Sequence, residues 1–286
     1  MTASVAGAFA RVRTAGFVGR AVRLADIDLP AAGYLIGVGE DEMHAVLDVE
    51  TRGGGFDPQK RPKILFEPHV FYRNLVGAER DRAVQAGLAY KAWKAGAYGA
   101  ESEQYPKLLR AMAINETAAL KACSWGLGQI LGENYVSAGY DSPQHMVVAF
   151  VDGGESEHLQ AMVRFIKANH LDDELRAHNW AAFARGYNGA QYKANSYDTK
   201  LAAAYAKWAK IKDTPWSPPS EETVTGPIPT PPVAVEPLPP PAALSPTAPA
   251  AAKPPAPAEP VPAPAPRPTA ETGWRAWLSS WTRLFG

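Results

Sequence analysis

Apolar residues recur at helical spacing through most of the first three-quarters of the chain. A helix is predicted over residues 26–36, where leucine, alanine and isoleucine share one face, and Gly37 ends it. The acidic run at residues 40–42 favours a second helix, because carboxylates are stabilised at a helix N-terminus. This second helix is predicted to end at Glu50, where a glycine-rich stretch begins.

The rest of this region is also predominantly helical. Further helices are predicted over residues 68–75, 105–123, 143–150, 155–169, 172–184 and 197–211. Strand signal is confined to residues 63–66, which follow a turn-forming stretch that contains Asp57-Pro58. The pattern assigns no element to residues 1–24. We therefore predict a mainly α domain with a small β-hairpin near Phe56.

The chain changes character after residue 212. Of its 27 prolines, 21 follow Asp213, where they are interleaved with alanine without helical or strand periodicity. Such a segment favours the polyproline II conformation, so residues 213–272 are predicted to be a disordered Pro/Ala linker. The folded domain is then expected over residues 25–212, with residues 1–24 as an N-terminal arm.

Residues 273–286 have an amphipathic pattern. Trp274, Trp277 and Trp281 fall on one face of a predicted short helix, and two arginines lie nearby. The segment is too short to span a bilayer. Two interpretations are open: the apolar face contacts a membrane or the cell envelope, or it packs against the folded domain or a second copy of the chain.

The charge balance gives no general argument for a polyanionic partner. Lys plus Arg and Asp plus Glu both total 29, so we expect no nucleic-acid binding. Residues 1–24 are an exception, since they contain four arginines and no acidic residue. The predicted N-terminal arm is therefore basic.

The cysteine and histidine content argues against metal or thiol chemistry. Cys123 is the single cysteine, which excludes an intramolecular disulfide and a cysteine-based zinc site, and we interpret it as a buried, inert thiol. The six histidines show no H-E-x-x-H or other ligand spacing, and His69 is interpreted as structural. We expect neither a metal nor a cofactor.

The sequence shows no ordinary signal peptide. The apolar run near the N-terminus is short, and Arg11 and Arg13 interrupt it. No stretch approaches the roughly 18 apolar residues that a membrane-spanning helix needs. If the substrate lies outside the cytoplasm, we expect the protein to be made in the cytoplasm and to leave through a pore formed by another protein.

Glu50 is the first candidate for chemistry. Its helix places Val46 and Val49 beside it, and a partly desolvated carboxyl group has a raised pKa, which is what a general acid needs at neutral pH. By itself this pattern is weak, because a glutamate at a helix end is more often a solvated surface residue.

Three blocks of sequence follow one another after this helix. The first is Glu50–Phe56 (ETRGGGF), continued by Arg61–Phe71 (RPKILFEPHVF). The second is Ser124–Gly132 (SWGLGQILG), and the third is Phe183–Gly189 (FARGYNG), followed by Tyr197–Ala202 (YDTKLA). Together they resemble the N-acetylmuramidase domain of phage endolysins over roughly residues 25–210.

The resemblance implies a lysozyme-like α fold and hydrolysis of the bond between N-acetylmuramic acid and N-acetylglucosamine, with Glu50 as the acid. Residues 126–130 (GLGQI) resemble the GLMQI of goose-type lysozymes and lytic transglycosylases. Gly128 stands where that motif has a bulky residue, and we expect it to widen the cleft. The residues expected to bind substrate are Phe56, Gln129, Tyr187, Asn188 and Tyr197.

Most glycosidases place a second carboxylate across the bond. Glu67 is the preferred candidate, since it follows the predicted strand inside a matching block; its alternative is a salt bridge with Arg61, Lys63 or Arg73. Asp57 is a weaker candidate because Asp before Pro commonly forms turns. Glu116 is interpreted as solvated.

The leading hypothesis is a muramidase that hydrolyses peptidoglycan glycan strands during bacteriolysis. A lytic transglycosylase would use the same acid but close an anhydro ring, and a peptidoglycan-binding module would have no activity. The partner is expected to be peptidoglycan in the cell wall, reached through a holin-type pore. We expect a monomer.

Overall fold

A computed structural model describes residues 3–50, 54–92, 98–189 and 192–218. The tail at 273–286 and the linker from residue 219 onward lie outside the described residues. Within the described part, no helix is both long enough and apolar enough to cross a membrane.

Helices make up most of the described chain. The α-helices are α1 (Ala3–Thr14), α2 (Asp28–Tyr34), α3 (Glu40–Glu50), α4 (Pro68–Arg73), α5 (Gly77–Gln85), α6 (Gln104–Met112), α7 (Glu116–Lys121), α8 (Pro143–Ala168), α9 (Asp172–Arg176), α10 (Trp180–Asn188) and α11 (Tyr197–Trp208). Short 3-10 helices occupy Glu101–Glu103, Gly132–Asn134 and Tyr192–Asn195. The predicted mainly α fold is confirmed.

The β structure is a small antiparallel sheet with the strand order β1-β2-β3. The strands are β1 (Ile64–Phe66), β2 (Cys123–Trp125) and β3 (Ile130–Leu131). Ile64 lies opposite Trp125, and Trp125 lies opposite Ile130. The predicted strand at 63–66 is therefore present, but its main partner comes from far along the chain. The predicted hairpin near Phe56 is present as an antiparallel bridge between Phe56 and Pro62, and a second tight hairpin is β2–β3, whose turn is residues 126–129.

Two predicted helices are interrupted. The helix predicted over 105–123 is divided into α6 and α7, because the Asn115 side chain accepts a hydrogen bond from the Ala118 N–H and starts a new helix. The helix predicted over 172–184 is divided into α9 and α10 in the same way, with Asn179 as the cap of α10. Leu109 of α6 is 50% exposed.

The helices predicted at 143–150 and 155–169 meet in α8. Gly154 has φ 72° and ψ −166° inside this helix, so α8 bends there. A left-handed φ is one that glycine adopts without a steric penalty. The two predicted segments are thus the two arms of one bent helix.

The structure gives residues 1–24 a defined place, although the sequence pattern assigned them no element. Phe9, Val12 and Phe17 are buried in the main core, and the Phe17 ring lies 6.3 Å from the ring of Trp125. Arg11 binds Asp152 of α8 at 2.5 Å. Helix α1 therefore packs on the same core as the sheet.

The first residues of the predicted linker also contact the folded domain. The Thr214 N–H and hydroxyl group donate to the Glu40 carboxylate at 2.6 and 2.8 Å. The Trp216 ring lies 5.6 Å from the ring of Tyr34 in α2. The chain up to Trp216 thus packs against the N-terminal end of α3.

Replacing Phe9 with alanine tests whether α1 stabilises the folded domain. Because Phe9 is buried in the core, we expect Phe9→Ala to lower the free energy of unfolding by about 3 kcal/mol, measured as a lower midpoint in urea. Val18→Ala, at an exposed position just after α1, is the control and should change the free energy by less than about 0.5 kcal/mol. An unchanged midpoint for Phe9→Ala would show that α1 adds nothing.

Candidate active site

Glu50 is the last residue of α3, and α11 holds this helix in place. Asp48 accepts hydrogen bonds from Lys207 Nζ at 2.9 Å and from Trp208 Nε1 at 2.8 Å. One turn earlier, the His44 ring stacks on Trp208 with a centroid distance of 3.6 Å. Rotation or sliding of α3 would break both contacts, so they restrain the helix two and six residues before Glu50.

The other side of α3 is apolar. Val46 and Leu47 are buried in the core, and Val49 is partly buried against it. The last turn of α3 before Glu50 therefore lies along the edge of the hydrophobic core.

Glu155 of α8 binds the chain at Gly55, five residues after Glu50. Its Oε1 accepts a hydrogen bond from the Gly55 N–H at 2.7 Å, and its Oε2 accepts one from the Leu24 N–H at 3.1 Å. The Arg23 guanidinium lies 3.3 Å from Oε1, and Glu155 is only 3% exposed. A buried carboxylate thus connects the loop after Glu50 to the segment before α2.

His158 lies one turn further along α8 and connects two of the sequence blocks. Its Nδ1 accepts a hydrogen bond from the Leu127 N–H at 3.1 Å, so its proton is on Nε2, which donates to the Phe150 carbonyl at 3.1 Å. The Phe56 ring stacks on the imidazole at 4.8 Å. Burial lowers the pKa of His158 to about 3, so the ring is neutral.

Glycines allow α8 to pack this closely. A Cβ at Gly55 would lie 2.5 Å from His158 Nδ1, and a Cβ at Gly126 would lie 2.7 Å from it. At Gly128, a Cβ would lie 3.2 Å from Met162. The expectation that Gly128 widens the cleft is therefore wrong, because Met162 packs into the space that a side chain would occupy.

The turn between β2 and β3 is held by two of the predicted substrate-binding residues. Gln129 has φ 46° and donates from Nε2 to the carbonyls of Gly126 at 2.7 Å and Lys63 at 3.3 Å. The Tyr187 hydroxyl group donates to the Gly128 carbonyl at 3.1 Å. These bonds fix the backbone of the turn.

All five predicted substrate-binding residues have buried side chains; they are Phe56, Gln129, Tyr187, Asn188 and Tyr197. The Tyr187 ring, expected to offer a stacking face, already packs on Phe183 at 5.5 Å and against the edge of Phe165 at 5.6 Å. Their direct contact with a glycan stays a prediction, and the structure gives Phe56, Gln129 and Tyr187 a supporting role in the loop and turn.

Glu67 lies in a closed environment between β1 and α4 and is 3% exposed. The Tyr98 hydroxyl group donates to its Oε2 at 2.8 Å, and His69 Nδ1 lies 3.4 Å from the same atom. Burial raises the pKa of Glu67 to about 8, and burial, aided by Arg73, lowers the pKa of His69 to about 4. At neutral pH this is a contact between uncharged groups and not an ion pair.

This environment does not suit the predicted role of Glu67. A second catalytic carboxylate must be ionised to act as base or nucleophile, whereas burial keeps Glu67 protonated and away from solvent. The alternative of a salt bridge with Arg61, Lys63 or Arg73 is not what the structure shows either. Its hydrogen bond comes from Tyr98.

The other sequence candidates have structural partners. Asp57 accepts the N–H groups of Gln59 and Arg61 at 2.9 Å each and pairs with the Arg61 guanidinium, which confirms its interpretation as a turn former. Glu116 binds Arg13 at 2.9 Å and so joins α7 to α1. Cys123 is buried, as predicted, and burial raises the pKa of its thiol well above the usual range.

Glu155 and His158 were not among the candidate residues indicated by the sequence. A glutamate inside a predicted helix is usually solvated, and a histidine without ligand spacing usually carries no chemistry. Their spacing of three residues places both on one face of α8, and the Gly153-Gly154 pair precedes them. The sequence signal for both is their position on the apolar face of a helix that glycines interrupt, where a glutamate and a histidine are unusual.

Replacing Glu67 with glutamine tests the protonation state of this buried group. Because the pKa of Glu67 is 4.5 in the unfolded chain and about 8 in the fold, the folded protein loses stability as pH rises from about 4.5 to 8, by as much as about 5 kcal/mol. Glu67→Gln keeps an acceptor for Tyr98 and removes this loss. We expect its melting temperature to exceed that of the parent increasingly as pH rises through this window, measured by thermal unfolding at several pH values.

The control for this experiment is Asp141→Asn, since the Asp141 side chain is 89% exposed. It replaces a carboxyl group at a solvated position by an amide and should follow the pH dependence of the parent. Parallel curves for Glu67→Gln and the parent between pH 5 and 8 would contradict a protonated Glu67.

The chain is similar to known proteins of one family. The N-acetylmuramidase family model matches residues 40–209, which include α3, the sheet and α11. The crystal structure of the Burkholderia AP3 phage endolysin matches with a TM-score of 0.61 and 36% sequence identity, over 70% of this chain and 76% of that chain. No curated protein matches the sequence. The chain therefore belongs to the N-acetylmuramidase family and is a glycoside hydrolase of the lysozyme type.

Proposed function

We propose that the protein cleaves the glycosidic bond between N-acetylmuramic acid and N-acetylglucosamine in peptidoglycan, with Glu50 as the general acid. The observation that carries this proposal is the position of Glu50. It ends α3, which is fixed against α11, and it directly precedes the loop that Glu155 and His158 bind. A proton donor needs such a fixed position, because a shift of about 1 Å can reduce the rate of reaction 100-fold.

In this mechanism the Glu50 carboxyl group donates its proton to the oxygen that leaves with N-acetylglucosamine. Positive charge then develops on the anomeric carbon of N-acetylmuramic acid, and water adds there. Glu67 is enclosed and uncharged at neutral pH, so we assign it a structural role at the junction of β1 and α4.

The hairpin turn and the end of α10 are proposed to form the substrate side of the site. Gln129 lies in this turn, and its buried Oε1 has no hydrogen-bond partner among the residues with described positions. Tyr187 donates a hydrogen bond to the turn at Gly128, and Phe56 of the loop stacks on His158. Asn188 and Tyr197 lie at the end of α10 and the start of α11.

The site of action is the bacterial cell wall. We propose that the enzyme works as a monomer, that it reaches the wall through a pore of the holin type, and that Trp274, Trp277 and Trp281 contact the membrane or envelope. These proposals rest on the sequence pattern alone.

The Glu50→Gln variant tests the assigned acid. Glutamine keeps the size of the side chain but cannot donate the catalytic proton, so we expect turnover of purified glycan strands to fall by about 10²–10⁴-fold while the protein stays folded. Glu133→Gln, which removes a carboxylate paired with Arg73, is the control and should keep the turnover of the parent. Wall clearance by Glu50→Gln at the rate of the parent would show that Glu50 is not the acid.

Mass spectrometry of the digested glycan tests the reaction type. Hydrolysis leaves N-acetylmuramic acid with a free reducing end, because water attacks the anomeric carbon. A transglycosylase leaves anhydromuramic ends, which are about 18 Da lighter because no water is added. We expect reducing ends; a digest made up of anhydro products would establish the transglycosylase alternative, and firm binding without products would establish the binding module.

A further inference from the structure

We propose that Glu155 is a positioning residue for the muramidase reaction: it fixes the chain that follows Glu50 and so sets where the acid stands. This inference rests on the proposed role of Glu50. Glu155 makes no contact with substrate in this proposal and acts through the backbone that it binds.

The two carboxylate oxygens of Glu155 hold two separate parts of the chain. Oε1 accepts the Gly55 N–H at 2.7 Å, and Oε2 accepts the Leu24 N–H at 3.1 Å. The Arg23 guanidinium supplies the opposite charge at 3.3 Å. Hydrogen bonds to a charged acceptor are about twice as strong as neutral ones, so these contacts restrain the loop strongly.

The backbone of α8 bends directly before Glu155, next to the segment that Glu155 binds. Gly154, with its left-handed φ, comes directly before Glu155, and the Glu155 N–H donates to the Val22 carbonyl at 2.9 Å. A Cβ at Gly154 would lie 2.9 Å from that carbonyl oxygen. The bend therefore brings the segment at residues 22–24 against both the backbone and the side chain of Glu155.

Glu155 does not serve as the missing second carboxylate. Both of its oxygens accept hydrogen bonds from backbone N–H groups, and the side chain is 3% exposed. A base or nucleophile must instead reach the anomeric carbon or a water molecule beside it. The arrangement suits a residue that fixes the backbone at Gly55 and Leu24.

Glu155 can influence catalysis because the residue that it binds, Gly55, lies close to Glu50 along the chain. Gly55 is five residues after Glu50, so their Cα atoms are at most about 18 Å apart. His158 packs on Gly55 from the next turn of α8 and also binds the hairpin turn through Leu127. The loop and the turn are thus placed by one face of one helix.

The Glu155→Gln variant tests the proposal in the full-length chain. Glutamine has the same shape, but its amide can accept only one of the two N–H groups and presents N–H donors to the other. We expect kcat on soluble glycan strands, per folded molecule, to fall by at least about 10-fold, with KM changed by less than about 2-fold, because the acid is displaced while substrate contacts remain.

The matched control is Glu157→Gln, on the same helix. Glu157 pairs with Arg164 at 2.7 Å and accepts a hydrogen bond from Tyr140, away from the loop and the turn. Its kcat should stay within about 2-fold of the parent even if its melting temperature falls. A kcat of Glu155→Gln less than about 10-fold below the parent, or a loss that lies mainly in KM, overturns the positioning role.

A second variant covers the case in which Glu155→Gln does not fold. Arg23→Met removes the charge partner of Glu155 from a position where the side chain is 65% exposed, so folding is expected to survive. We expect its kcat to fall by at least about 3-fold; a smaller change overturns the proposal. Glu50→Gln, measured in parallel, separates the two proposals. If Glu50→Gln keeps the turnover of the parent, the assignment of Glu50 as the acid is wrong. If Glu50→Gln is inactive while Glu155→Gln and Arg23→Met keep their activity, only the positioning role of Glu155 is wrong.

Discussion

The imidazole of His158 fills the space that side chains at Gly55 and Gly126 would occupy, and the arrangement of the loop and the hairpin depends on this packing. Because its pKa is lowered to about 3, the ring stays neutral and keeps one acceptor and one donor nitrogen. The acceptor binds the Leu127 N–H, and the donor binds the Phe150 carbonyl. Loop, turn and α8 are thereby joined at one buried ring, and the rest of the candidate site is arranged around it.

Two buried glutamates compensate in different ways for the loss of hydration of their carboxyl groups. Glu155 receives two backbone N–H donors and a guanidinium, which replace the water that a carboxylate loses on burial. Glu67 receives one hydroxyl donor from Tyr98, and burial raises its pKa to about 8. The surroundings, and not the residue type, therefore decide that one carboxyl group holds backbone segments together and the other stays uncharged.

Much of the fold could be predicted from periodicity, and the exceptions have physical causes. The span of α3 and the strand at 63–66 follow from local pattern. The interruptions at Asn115 and Asn179 do not, because a capping side chain ends one helix and starts another without changing the apolar spacing. Of strand β2, Cys123 was placed at the end of a predicted helix and Ser124 and Trp125 in no element, since three apolar or small residues carry no periodicity and become a strand by pairing with β1.

The sequence by itself determined the family, the mainly α fold and the position of Glu50 at the end of a helix, because three ordered blocks and helical spacing are properties of the linear chain. The tertiary structure decided which groups support the site. Glu155 lies 100 residues from the Gly55 N–H that it binds, and burial, which depends on every neighbouring element, set the protonation of Glu67 and the neutral state of His158. Such long-range contacts and desolvation leave no local pattern in the sequence.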